Sequence, residues 1–158
     1  MWSVRAARLT RALRTGRERT PVGRCMLPPV EAQAMPRDEL LSAATVTLAL
    51  LGDTMLGRGV GERLRTVPPS SLFGPALLDA LREADLVVLN LECCISRRGE
   101  RWPDPSKPFF FRAPPAAVDA LALLGVDCVT LANNHALDYG PDALLDTLEH
   151  LRAGGIAV

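Results

Sequence analysis

The stretch GVDCVTLANNHALDYGPDALLDTLEHL, residues 125–151, runs from a short apolar segment through a polar cluster into a helical period. Residues 126–131 (VDCVTL) read as a buried strand, and 141–153 as a helix with Pro141 in its first turn, where a missing N–H removes no hydrogen bond. Between them stand Asn133, Asn134, His135 and Asp138. The same alternation extends outward. Segments 45–51 (TVTLALL) and 86–91 (LVVLNL) are strand candidates, 109–111 (FFF) is a weaker one, and helices are expected near 75–84 and 115–124. Gly125 and the pair Gly154 and Gly155 follow helices, where a left-handed cap is expected. Short apolar runs alternating with helical periods predict an α/β fold, a largely parallel sheet assembled from βαβ units.

The 158 residues carry 18 basic and 18 acidic side chains and are 48% apolar, which fits one globular domain and excludes repeat arrays, collagen-like chains and wholly disordered proteins. The longest apolar stretch, 43–51, falls short of the roughly 18 to 20 residues of a membrane-spanning helix, and no secretory signal is seen. Cys25, Cys93, Cys94 and Cys128 form no C-x-x-C pair, so a reducing, cytoplasmic setting is expected. No specific nucleic-acid partner is expected. Residues 1–40 hold eight arginines against four acids together with Pro21, Pro28, Pro29 and Pro36, and show no strand signal. Residues 1–42 therefore read as a basic flexible extension. A helix over 2–14 would gather Trp2, Ala6, Leu9 and Leu13 on one face, as in a membrane-surface or targeting helix. The plainer reading is an unstructured leader, or a start at Met26 or Met35. The domain spans 43–158, and Ile156-Ala157-Val158 look like the opening of another strand, so the chain is expected to be the front part of a larger domain.

Ligands of open α/β sheets bind beyond the carboxyl ends of the strands. Three groups stand there: Gly52-Asp53, then Asn90 and Glu92, then Asn133, Asn134, His135 and Asp138. Because parallel strands share a direction, the three should meet on one rim. Carboxylate, amide and imidazole donors together suit a divalent cation such as Mn²⁺, Mg²⁺, Fe²⁺ or Zn²⁺. Each group alone has a plainer reading as a helix cap, a strand-end hydrogen-bonding residue or a turn. The loop from Cys93 to Pro108 carries Arg97, Arg98, Arg101 and Lys107, candidate cations for an anionic substrate, a phosphate or a polycarboxylate; a merely solvated loop has the same composition. Gly57, Gly59 and Gly61 give G-x-G-x-G instead of the G-x-G-x-x-G of dinucleotide folds, and neither a phosphate-binding P-loop nor G-x-S-x-G occurs. A thiol nucleophile, Cys93, Cys94 or Cys128 with His135, competes with the commoner role of small buried cysteines.

Four segments taken together, LLGDTMLGRGV (50–60), ADLVVLNLECCIS (84–96), KPFFFRAPP (107–115) and residues 125–151, resemble the CapA capsule synthesis proteins of poly-γ-glutamate biosynthesis, within the calcineurin-like metallophosphoesterase superfamily. The resemblance implies a four-layer α/β/β/α sandwich, of which this chain is a part, with a divalent metal (Mn, Fe, Zn or Mg) at the strand ends. It implies Asp53, Glu92 and Asn134 as metal ligands, with Asn90 and Asn133 supporting. His135 would contact phosphate and act as general acid, with Asp138 orienting it. The superfamily's two metals clamp a phosphate ester for in-line attack by water. Two departures stand against this. The D-x-H block is Asp53-Thr54-Met55 here, and the later histidines, including a G-H-x-H, are absent, so the implied two-metal site is incomplete in this chain. The expected partners are an anionic polymer or phosphate-containing substrate and a membrane synthase complex. The competing expectations are a non-catalytic component that binds polymer or synthase, and an inactive gene fragment.

Overall fold

The computed structural model describes residues 5–10 and 45–158. Its strands are β1 (Arg5–Thr10), β2 (Thr45–Thr54), β3 (Leu86–Leu91), β4 (Cys94–Ile95), β5 (Arg112–Ala113) and β6 (Cys128–Thr130); its helices are α1 (Arg58–Arg63), α2 (Pro75–Arg82), α3 (Ala117–Leu123) and α4 (Gly140–Ala153). A four-stranded sheet has the order β1-β2-β3-β6, with β2, β3 and β6 parallel. β4 and β5 form a separate parallel pair. The α/β class with parallel βαβ units is therefore as expected. Ala157 bridges in parallel to Cys128, extending the sheet beyond β6 as the run Ile156-Ala157-Val158 suggested.

One expectation is corrected at the amino terminus. Residues 2–14 showed no strand signal, yet Arg5–Thr10 pair antiparallel with β2, from Arg5 opposite Leu50 to Thr10 opposite Thr45. A free edge of β2 accepts a partner strand whatever that strand's own periodicity, because the pairing is made by backbone groups. The remainder of the 1–42 extension lies outside the described residues.

The core follows the period of the strands. In β3, Val87, Leu89 and Leu91 are buried while Leu86, Val88 and Asn90 turn to the other face. Leu81 of α2, Leu121 of α3 and Leu151 of α4 join them in one buried cluster. The opposite face is more open, with Leu50 39% and Leu86 45% exposed. Two of the three parallel strands, β2 and β3, are anchored near their starts by a carboxylate from the turn beside them: Asp85 accepts from the Thr47 N–H and Asp127 from the Val87 N–H, both at 2.8 Å. Gly125 and Gly155 take the left-handed conformation expected after α3 and α4. The aromatic run 109–111 is not a strand; pairing begins one residue later, at Arg112. Helix α1 was not expected, since three glycines within LGRGVGER argue against helix. They are tolerated because α1 packs tightly: a Cβ on Gly57 would meet the Arg112 carbonyl at 2.8 Å, and one on Gly61 would meet Pro114 at 3.1 Å. Among the described residues no helix is long and apolar enough to cross a membrane.

Candidate functional site

A register change in β2 places the first site residue. Leu50 stands opposite Val88, but the next pairing is Asp53 opposite Asn90, so β2 spends three residues where β3 spends two. Regular alternation would put Asp53 on the buried face with Ala49 and Leu51. The extra residue turns it to the Asn90 face, because a one-residue slip exchanges the two faces of a strand. Gly52, at φ 67°, supplies the left-handed backbone of this bulge. Asp53 is thus exposed within β2, not in the turn after it.

From there a line of side chains crosses the strand ends. The Asn90 amide donates to Asp53 Oδ1 at 2.9 Å, and the Asn133 amide donates to Asn90 Oδ1 at 2.9 Å and to the Leu91 carbonyl at 3.0 Å. Asn133 Oδ1 in turn accepts the His135 backbone N–H at 2.9 Å. All three groups therefore meet on one rim as the parallel topology predicts. Glu92, half-buried, closes β3 beside them, its N–H bonded to the Thr54 carbonyl. The Asn134 side chain is exposed and makes no hydrogen bond among the described residues.

Asp138 is the hub of the second half. It is fully buried, and its Oδ2 accepts from the Phe111 N–H at 2.6 Å and contacts His135 Nδ1 at 2.8 Å. Its Oδ1 faces the Lys107 ammonium at 2.5 Å. Lys107 also donates to the Asn134 carbonyl at 2.5 Å, tying the long loop to the polar cluster. A carboxylate on Nδ1 selects the tautomer with Nδ1–H and leaves Nε2 as the acceptor, the usual way an imidazole is oriented. The Phe111 ring stacks on His135 with centroids 4.1 Å apart.

The basic loop divides. Lys107 reaches the rim, but its charge is engaged by Asp138. Arg98 bonds through Nε and its terminal nitrogen to Asp146 of α4, whose other oxygen accepts from Ser96. Those bonds hold the Asp146 carboxyl down to about 2. Arg101 lies over the Phe110 ring at 5.4 Å, and Arg97 is exposed. Two residues absent from the expected site stand at it: Phe111, stacked on His135, and Arg58, whose guanidinium lies 4.8 Å from the Phe111 centroid and 4.9 Å from that of Phe109. The available signal was the clustering of three of the chain's four phenylalanines at 109–111.

Asp53 and Glu92 offer two hard oxygen donors at adjoining strand ends. Among the described residues, however, no three acidic, imidazole or thiol side chains converge to hold a metal ion, and a lysine occupies the neighbourhood of Asn134. The residues present do not by themselves fit the divalent centre that the resemblance implies. The thiol alternative loses two of its candidates, because burial pushes Cys93 up to about 12 and Cys94 up to about 11, leaving almost no thiolate near neutrality. Cys128 is half-buried within β6.

Comparison with known proteins gives one matching family model, bacterial capsule synthesis protein PGA_cap, over residues 47–158. Two curated relatives, from the CDC 1551 and H37Rv strains of Mycobacterium tuberculosis, each bear the name "Probable polyglutamine synthesis accessory protein". Each is 34% identical over 143 aligned positions, which cover 70% of this chain and 37% of the relative. The match therefore spans little more than a third of the length of those relatives.

Proposed function

Because the chain belongs to the bacterial capsule synthesis protein family PGA_cap, we propose that its strand-end site serves the making of an anionic capsule polymer of the poly-γ-glutamate type, by hydrolysis or transfer at a phosphate or related anionic group. The observation that carries this reading is the fully buried Asp138 held against His135 Nδ1. An imidazole fixed in this way presents Nε2 to a substrate and can take up or release a proton there, with the neighbouring carboxylate stabilising the imidazolium. Asn90 and Asn133 hold Asp53 and the His135 backbone in one frame. Asp53 and Glu92 add two carboxylates at adjoining strand ends, which by themselves fall short of a divalent centre. The open sheet face bearing Leu50 and Leu86 is the surface that a second sheet would cover in a four-layer sandwich.

The test is phosphate release from an aryl phosphate ester by the 158-residue chain, measured with and without added Mn²⁺. His135→Gln should slow release by about 100-fold or more, within the range of a lost acid–base group. Equal rates for wild type and His135→Gln would remove His135 from the chemistry. The word "accessory" in the relatives' name favours a second reading, a non-catalytic component that binds polymer or a membrane synthase. Polymer binding without any turnover would select it.

A further inference from the structure

The cations at this site have unequal freedom. Arg98 spends its donors on Asp146, Arg112 donates to the carbonyls of Arg98 and Gly99, and Lys107 is paired with Asp138. Arg58 differs from all three: among the described residues its guanidinium has no acidic partner and no hydrogen-bond acceptor, yet it is held in place by the Phe109 and Phe111 rings. A guanidinium held over ring faces spends none of its N–H donors on hydrogen bonds, and those donors can meet a carboxylate or phosphate edge-on with two parallel hydrogen bonds. Phe111 is shared, since the ring that carries Arg58 also stacks on His135 at 4.1 Å. Arg101 also lies over a ring, but Phe110 meets Tyr139 edge-on instead of the imidazole.

The backbone at Arg58 is the second observation. Arg58 is the sole residue other than glycine with a positive φ among the described residues, at 50°. A Cβ disfavours that region, and such strain persists where the surroundings impose it, often at functional sites. Here the preceding residue is clamped, because Gly57 lies so close to the Arg112 carbonyl that a Cβ would meet it at 2.8 Å. The chain thus enters α1 in a fixed direction that delivers the arginine onto the two rings.

We propose that Arg58, held over Phe109 and over the Phe111 ring that also stacks on His135, is the oxyanion-binding residue of the strand-end site, receiving a carboxylate or phosphate group of the ligand that His135 meets. The inference rests on the proposed function of the same site. It assigns anion recognition to α1 and not to the arginines of the 93–108 loop.

The experiment is calorimetric titration of the 158-residue chain, in the presence of a chelator, with inorganic pyrophosphate and separately with γ-linked tetraglutamate. The variants are Arg58→Gly, Arg58→Lys, Arg97→Ala and His135→Ala. Glycine accepts a φ of 50° without strain, so Arg58→Gly removes the side chain while suiting the backbone, and a cooperative thermal transition by circular dichroism verifies its fold. Arg58→Lys keeps the charge and loses the flat fork. The expected result is at least tenfold weaker binding for Arg58→Gly, a smaller loss for Arg58→Lys, and no change for Arg97→Ala. A loss confined to pyrophosphate identifies a phosphoryl group as the ligand, and one confined to tetraglutamate identifies polymer carboxylate. Wild-type affinity in Arg58→Gly, with binding lost in His135→Ala, would overturn the role of Arg58 and leave the site standing. No binding of either probe by the unaltered chain would overturn both.

Discussion

Replacing Asp138 by Asn tests whether a buried ion pair holds the site together. The carboxylate is 0% exposed, Lys107 is 18% exposed and His135 is 11% exposed. Asn keeps the shape but offers one oxygen and one NH₂ group. If the oxygen continues to accept from the Phe111 N–H and His135 Nδ1, the NH₂ group faces the Lys107 ammonium, donor against donor. Removing one partner from a buried pair costs about 3–5 kcal/mol when the other charge is left stranded. Lys107 retains some exposure and a long stem, so it can swing towards water and lower that figure to about 2–3 kcal/mol. Lys107→Met should cost less, because Asp138 keeps its contacts with the Phe111 N–H and His135 Nδ1. In the double variant neither stranded charge exists, so its cost should fall below the sum of the single costs by about 1 kcal/mol or more. The assay is urea unfolding followed by circular dichroism and extrapolated to water for all four proteins. Salt supplies an internal control, since a buried pair is screened far less than the exposed Arg82–Asp79 pair, whose side chains are each 69% exposed. Strictly additive costs, or an Asp138→Asn variant as stable as wild type, would refute the argument that this pair organises the rim.

Two further outcomes follow from local geometry. Gly52→Ala should lower the unfolding free energy by about 1–2 kcal/mol, the usual cost of left-handed backbone for a residue with a Cβ; no atom lies within 4 Å of the added carbon, so a clash contributes nothing, and an unchanged urea midpoint would show that the bulge does not need this φ. Asp146 is held down to about 2 by its bonds to Arg98 and Ser96, against an ordinary 3.8. Its folded-state pKa is depressed, so its contribution is complete above the ordinary value and is lost as pH falls through 3.8 towards 2. Thermal midpoints of Asp146→Asn should accordingly vary less with pH between 4 and 2 than those of wild type, and parallel curves would contradict the assignment.

The rim was legible because it depends on a rule of topology: parallel strands end on the same side, so polar residues after separate apolar runs must meet. Asn90 and Asp53 are 37 residues apart and Asn133 and Asn90 are 43 apart, and both pairs are hydrogen-bonded. The bulge that aims Asp53 was not legible, since Leu51-Gly52 reads as the end of a strand and the count that matters is made against β3. Nor was the role of Lys107, the single lysine among 18 cationic residues. In sequence it is one more charge in a basic loop, and its loop neighbours do engage in unrelated contacts. Only the arrival of Asp138 and Asn134, brought round by β6, turns it inward. The same holds for the two misread local patterns. Three consecutive phenylalanines suggest a strand by propensity, yet two of their rings carry Arg58 and one carries His135. Three alternating glycines argue against a helix, yet two of them bring α1 against Arg112 and Pro114. Local preference lost at these positions, and they border the site. A scaffold residue can follow its own propensity, whereas a residue that must meet an imidazole or an incoming anion is placed by partners distant in sequence. Departures from local pattern are therefore informative in this chain: Gly52, Arg58 and Phe111 each break a local expectation, and each sets the position of a group on the rim.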